Sequence, residues 1–205
     1  MAETAIVLHG APLSGHTHRV GLMLRALNLD YRFAPAPADV RATPAFLALN
    51  PLGQVPVLED GEAVLADSNA ILVYLASRYA PEGPWLPREP LAAAAVQRWL
   101  SIAAGELMHG PAIARMIVLF GLRDDPARAA RISARILRFM DDHLEGRTFL
   151  AAAHVTIADL ACYSYVAHAP EGGVSLEPYP NVRAWLARVE AQPWFVPIPD
   201  FAKAA

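Results

Sequence analysis

Hydrophobic and polar positions follow two different rhythms along the chain, and the change falls near residue 80. Up to that point short β-type runs alternate with stretches of helical period. Ala5 to Leu8 reads as a strand ending in the loop Gly10-Ala11-Pro12. Val20, Met23, Leu24 and Leu27 follow at i, i+3, i+4 and i+7, which places them on one face of a helix. Tyr31 to Ala34 reads as a second strand. Thr43 then marks the start of a short helix, because Pro44 suits a first helical position, where its missing N–H is not needed. Val57-Leu58-Glu59 and Ala63-Val64-Leu65 flank Asp60-Gly61, a two-residue hairpin signal of the I′ type. Ser68 is the expected cap of a further helix whose Leu72, Leu75 and Tyr79 share a face. The predicted order is β-α-β-α-β-β-α. A helix between the first two strands requires them to pair in parallel, and the hairpin adds an antiparallel edge.

Pro81, Gly83, Pro84, Pro87 and Pro90 then form a segment that sustains neither a helix nor a central strand. Beyond it the apolar spacing is helical throughout, with helices predicted near residues 90–110, 127–144, 156–169 and 179–191. Ile132, Ile136, Phe139 and Met140 share a face in the second of these. The third opens on Thr156-Ile157-Ala158-Asp159, a carboxylate version of the capping box, with Val155 and Leu160 at the positions of a hydrophobic staple. That pattern makes Asp159 a helix-start carboxylate in preference to a catalytic one. The organisation expected is an α/β domain over residues 1–80 and an all-helical domain over residues 88–205.

Composition narrows the function. The chain of 205 residues is 55% hydrophobic and 18% charged, enough apolar material for a core, so a disordered chain is excluded. A net charge of −3 and a pI near 6.1 leave no basic excess of the kind a nucleic-acid binder needs. Arg128, Arg131, Arg135 and Arg138 do form a helical stripe, but Asp124, Asp125, Asp141 and Asp142 bracket it, so it reads as a solvated or salt-bridged face. Unbroken apolar runs such as Met116 to Phe120 fall short of the ~20 residues that span a bilayer, and Glu3 stands where a signal peptide would be basic. A cytoplasmic protein with no membrane or nucleic-acid partner is expected. The single cysteine, Cys162, excludes an internal disulfide framework and reads as a small buried hydrophobe. His9, His16 and His18 invite a metal reading, but i, i+2 neighbours on a helix do not face each other, so no metal site is expected.

Three segments carry a resemblance to a known family. They are Ser14-Gly15-His16-Thr17-His18-Arg19-Val20, then Asn50-Pro51-Leu52-Gly53-Gln54-Val55-Pro56-Val57-Leu58, then Asp67-Ser68. In that order and spacing, and together with the helix start at Thr156, they resemble the glutathione S-transferase family, in its bacterial, serine-type form. The resemblance implies a thioredoxin-like N-terminal domain, an all-α C-terminal domain, glutathione as co-substrate and a two-fold homodimer. It implies a cis bond before Pro56, with the Gln54-Val55-Pro56 backbone pairing with the cysteinyl unit of glutathione much as an added strand would. It places the γ-glutamyl carboxylate at the helix N-terminus of Ser68, where N–H groups favour an anion, and its ammonium beside Asp67. His16 is a candidate for the glycyl end. Ser14 falls where serine-type members hold the hydroxyl that contacts the glutathione sulfur.

The local chemistry leaves choices open. A thiol with a pKa near ~8.5 is activated by donors that favour its thiolate, so Ser14 would donate a hydrogen bond and not attack. Thr17 is the rival hydroxyl, and Ser14 as a plain N-cap is the third reading. Trp99, Met108, Met116 and Phe120 are candidates to line a pocket for the second substrate or simply to pack in a core. The activity implied is transfer of the glutathione thiolate to a small electrophilic, apolar substrate. The alternatives are isomerisation, dehalogenation or peroxide reduction with glutathione, or a non-catalytic member of the fold that binds partners.

Overall fold

The computed structural model describes residues 6–199. Glu3, Ala5 at the start of the first predicted strand, and residues 200–205 of the predicted helical domain lie outside them. The chain divides into two compact units: one runs to Pro81 and takes back the segment from Pro193, and the other is Glu82–Gln192. The sequence had grouped the segment from Pro193 with the helices. It packs instead along the first helix of the chain, for reasons of hydrogen bonding given below.

The first unit is built on a four-stranded sheet of order β2-β1-β3-β4. Strand β1 (Ile6–Gly10) pairs in parallel with β2 (Tyr31–Pro35) and antiparallel with β3 (Val57–Asp60), which forms a hairpin with β4 (Ala63–Ala66). The parallel pair and the antiparallel edge are those the element order requires. The hairpin turn sits one residue later than the sequence signal. Asp60 pairs with Ala63, so Gly61-Glu62 form the loop; only Gly61 has positive φ, at 62°, the II′ pattern rather than I′. Asp60 stays in the strand because its Oδ2 accepts hydrogen bonds from Tyr74 and Tyr79, at 2.8 and 2.6 Å. Burial, and then the bond to Asp60, push Tyr79 up to about 12.

Helices α1 (Gly15–Ala26) and α4 (Ser68–Tyr79) pack against each other, with Val20, Met23, Leu24, Ile71, Leu72 and Leu75 fully buried. Thr17 of α1 lies so close to Gly10 that a Cβ there would meet its Cγ2 at 2.3 Å, so only glycine fits at the end of β1. On the other face of the sheet, beyond the short helix α2 (Ala38–Arg41), Phe46 of α3 (Pro44–Leu49) forms a smaller cluster with Ala36 and Val57. Thr43 caps α3 as its sequence predicts, accepting from the Phe46 N–H at 3.3 Å. His9 lies on this face, 2.6 Å from Glu59 on the neighbouring strand and edge-on to Phe46.

The segment from Pro193 is tied to α1 at two levels. Arg25 donates through Nε to the Trp194 carbonyl at 3.3 Å, and His18 Nε2 lies 2.6 Å from the Val196 carbonyl, with Phe195 edge-on to its ring. Ile198 is buried.

The second unit is helical: α5 (Pro90–Ala104), α6 (Ile113–Phe120), α7 (Pro126–Leu144), α8 (Ile157–Ala167) and α9 (Pro180–Glu190). Helix α6 is absent from the sequence prediction, and it follows Pro111, a residue that lacks an N–H and crowds the preceding turn. The backbone widens into a π-type turn over Met108–Ala112 that accommodates the proline, and the helix resumes. The run Pro90–Phe120 is thereby longer than the sequence reading allows and passes the length and apolarity test for crossing a membrane. Its Val96, Trp99, Leu100, Ala103 and Leu107 are buried, and α5 packs on α8 within the unit, the features of a core helix. Trp99 packs against Phe139 and His143, whereas Met108 and Met116 pack on the cluster of Ile113, Ala114 and Ala129, and Phe120 is exposed. Arg135 pairs with Glu106 on the exposed face of α7, and Cys162 is buried.

Helix α8 begins as its sequence predicts, with a capping box formed by Thr156 and Asp159. Asp159 is fully buried and accepts four hydrogen bonds: Oδ1 from the Leu150 N–H and the Trp185 indole, and Oδ2 from the Thr156 N–H and hydroxyl. Burial raises its pKa and these donors pull it back.

Candidate active site

The candidate residues gather where three chain segments of the first unit meet. The loop before β3 is wound around one side chain. Asn50, buried, donates through Nδ2 to the Gln54 carbonyl at 2.9 Å and accepts the Leu52 N–H on Oδ1 at 3.1 Å. Gly53 makes the turn with φ of 61°, and the Val55–Pro56 peptide is cis, as the resemblance implies. Asn50 was present in the motif without an assigned role. Its sequence signal is the Asn-Pro-x-Gly run, which combines turn formers with a side chain able to satisfy a loop backbone.

The second segment is the β4–α4 junction. Asp67, not Ser68, is the N-cap of α4: its Oδ1 accepts from the Asn69 and Ala70 N–H groups, each at 2.9 Å, and Ser68 is the first helical residue. This corrects the predicted capping; the aspartate wins because its carboxylate reaches two N–H groups and favours the positive end of the helix. Asp67 has φ of 71°, a conformation costly for a non-glycine residue and one that clusters at ligand-binding positions. Its Oδ1 serves the helix while the group as a whole stays exposed.

The third segment is the start of α1. Ser14 is the N-cap, accepting the Thr17 N–H on Oγ at 3.2 Å. Thr17 is buried, and its own Oγ1 accepts the Ala11 N–H at 3.2 Å, so it braces the β1–α1 loop. His16 Nδ1 lies 3.0 Å from Ser68 Oγ. Burial, and then the Arg19 charge, push His16 down to about 3, so the ring is neutral near neutral pH. Arg19 itself is 1% exposed and donates through Nη1 to Asn69 Oδ1 at 2.9 Å and to Ser68 Oγ at 3.3 Å. Neither Arg19 nor Asn69 was a candidate from sequence. The available signal was a charged residue one position before Val20 in the apolar stripe of α1, since buried arginines are rare unless paired.

A cavity of about 220 Å³ collects most of these groups. His16, Gln54, Val55, Pro56, Asp67 and Ser68 all line it, together with Asn50, Leu52 and Ala66. Ser14 is not among its lining residues; it stands at the head of the helix that carries His16. Among the described residues no cluster of three or more His, Cys, Asp or Glu is placed to hold a metal ion. His9, His16 and His18 point to three different partners, Glu59, Ser68 and Val196.

Comparison with known proteins gives a consistent set of likenesses. Residues 8–84 match the family described as Glutathione S-transferase, N-terminal domain, and residues 106–193 match Glutathione S-transferase, C-terminal domain. Glutathione S-transferase 3 of Zea mays is 34% identical over 201 residues, spanning 92% of this chain and 90% of that protein. A glutathione S-transferase structure from Pseudomonas fluorescens superposes with a TM-score of 0.88 at 33% identity, covering 96% of this chain and 100% of the other. A glutathione transferase homolog from Drosophila mojavensis, solved with bound glutathione, superposes at 0.81 with 29% identity, covering 92% and 89%.

Proposed function

Because the chain belongs to the glutathione S-transferase family, we propose that the cavity between His16, Pro56 and Ser68 holds glutathione and that the enzyme transfers its thiolate to a small, apolar electrophile. The protein is a glutathione transferase with glutathione as its co-substrate, on a thioredoxin-like N-terminal domain followed by an all-α C-terminal domain. The observation that carries the site reading is the convergence of six of the seven candidate residues on one cavity.

The roles follow from the groups each segment offers. The backbone of Gln54, Val55 and Pro56, just ahead of β3, pairs with the cysteinyl unit in the manner of an added strand. The N-terminus of α4 at Ser68 receives the γ-glutamyl carboxylate, and the Asp67 carboxylate meets the γ-glutamyl ammonium. Ser14 donates its hydroxyl to the sulfur. The thiol loses its proton to solvent, and the sulfur lone pair forms a C–S bond to the electrophile as its leaving group departs or its π bond opens. Retention on immobilised glutathione with turnover of chlorodinitrobenzene supports this reading. Retention without that turnover favours isomerisation, dehalogenation or peroxide reduction, and no retention favours a partner-binding member of the fold. The enzyme acts in the cytoplasm.

Two further results are expected. Asp67→Ala and Ser68→Ala each weaken glutathione binding by about 1–3 kcal/mol, the range for losing a charge-assisted hydrogen bond. Calorimetry with unchanged affinity for both variants would place the γ-glutamyl group elsewhere. The chain also assembles as a two-fold homodimer, which light scattering at micromolar concentration checks; a monomer there contradicts it.

A further inference from the structure

We propose that a second cleft of the first unit, at the C-terminal end of α1, binds a free α-amino acid with a large apolar side chain, its carboxylate on Arg25 and its ammonium on Asp30. The cleft has a volume of about 540 Å³, within the range of small-molecule sites, and shares no lining residue with the cavity around His16. Its rim is fixed by backbone bonds. Asn28 turns the chain with φ of 52° and donates its N–H to the Arg25 carbonyl at 2.9 Å, and the Leu29 N–H donates to the Leu24 carbonyl at 2.9 Å. Leu29, Tyr31 and Trp194 give the cleft its apolar side. Tyr31 is half-buried, with its hydroxyl 3.7 Å from where a Cβ of Gly21 would stand, one helical turn before Arg25. That hydroxyl has no hydrogen-bond partner among the described residues.

Two opposite charges line this cleft without pairing. Arg25 donates through Nε to the Trp194 carbonyl at 3.3 Å, which holds the guanidinium in place. Its two Nη nitrogens have no partner among the described residues, and they form the fork that a carboxylate accepts. Asp30 also lines the cleft, is exposed, and makes no hydrogen bond or ion pair with a described residue. A simple anion would meet Arg25 but face Asp30, and a simple cation would have the reverse fault. A zwitterion satisfies both, and the negative end of the α1 dipole adds to the attraction for its ammonium. An apolar side chain on the same carbon then covers the rings of Tyr31 and Trp194. Ser14 stands at the other end of α1, roughly 16 Å away along the axis, so occupancy here is independent of glutathione binding.

Calorimetry on the full chain tests this with L-phenylalanine as the probe. Saturable binding is expected. N-acetyl-L-phenylalanine, which lacks the ammonium, and L-phenylalaninamide, which lacks the carboxylate, should each bind roughly ten-fold more weakly or worse, the cost of one charge-assisted hydrogen bond. Asp30→Asn should weaken L-phenylalanine binding by about the same factor without weakening that of the N-acetyl compound. Because Asp30 has no partner in the folded chain, this variant should melt with the wild type. The absence of saturable binding at millimolar concentration overturns the proposal. Equal affinity for the three probes does so too, as does an Asp30→Asn variant that binds L-phenylalanine like the wild type. A repeat titration with S-methylglutathione at saturation should leave L-phenylalanine binding unchanged. Its loss there would put the amino acid in the cavity around His16, against the proposal.

Discussion

Asp159→Ala is expected to destabilise the protein by about 3–5 kcal/mol, the range for removing one member of a buried charged network. In a chain of this length that is a fall in Tm of roughly 6–20 °C. The side chain is fully buried and serves as the common acceptor for three separate pieces of chain: Leu150 in the approach to α8, Thr156 at its cap and Trp185 on α9. Alanine leaves the Leu150 and Thr156 N–H groups and the Trp185 indole N–H without that acceptor. Each stranded donor costs about 1–3 kcal/mol, partly relieved where neighbours relax. Asp159→Asn should lose less. Its remaining oxygen still serves Leu150 and Trp185, but its amide N–H₂ faces the Thr156 N–H, donor against donor. Thermal unfolding of both variants checks the order. A loss under about 1 kcal/mol for Asp159→Ala would show that the four bonds contribute little beyond what water supplies.

Ser14→Ala is expected to lower the thiolate fraction of bound glutathione by ten- to a hundred-fold, since a hydrogen bond to an ionised group is worth about 1.5–3 kcal/mol. The Ser14 oxygen accepts the Thr17 N–H, which leaves its proton available to donate outward from the head of α1. One residue therefore caps the helix and offers a donor. Thr17 has a different commitment: it is buried against Gly10 and its oxygen accepts the Ala11 N–H. Thr17→Val should cost stability and leave the thiol pKa where it was. Thiolate absorbance of the glutathione complex as a function of pH distinguishes the two, and affinity for an S-alkylated analogue should survive in Ser14→Ala. Melting of the same variant gives the cost of the lost cap, ~1 kcal/mol, separately. If Thr17→Val moves the pKa and Ser14→Ala does not, the donor is Thr17. If neither does, thiolate formation rests on backbone N–H groups.

Period and turn chemistry made most of the fold legible. The element order and the parallel pairing of the first two strands followed from a helical run between two β-type runs, and the α3 and α8 starts from Thr43-Pro44 and the Thr156 capping box, whereas the strand order within the sheet did not. What escaped has physical causes. Pro111 signals an end, yet a π-type turn carries the helix past it, an outcome decided by packing around Gly110 and not by the residues themselves. Asp60 belongs to the strand because two tyrosines of α4 hold its carboxylate, a contact 14 and 19 residues away. Asp67 and Ser68 both suit a cap, and only the backbone conformation separates them. At the site, the residues came from a family resemblance and not from periodicity. Their wiring through Arg19 joins positions about 50 residues apart and could not be read from spacing.

The short segment after Pro193 bears on how the protein is made. Carbonyls of Trp194 and Val196 engage Arg25 and His18 on α1, and Ile198 is buried, so the surface of the first helix is completed by residues made more than 100 positions after the rest of its unit. At ~5–20 residues per second, the whole of Glu82–Gln192 must be synthesised first, a delay of about 5–20 s. During that interval the nascent first unit carries α1 without this cover, the state in which a chaperone would find it. A gene fragment ending at Pro81 would encode that unfinished species permanently, and only a fragment that reattaches residues 193–199 would encode the finished one.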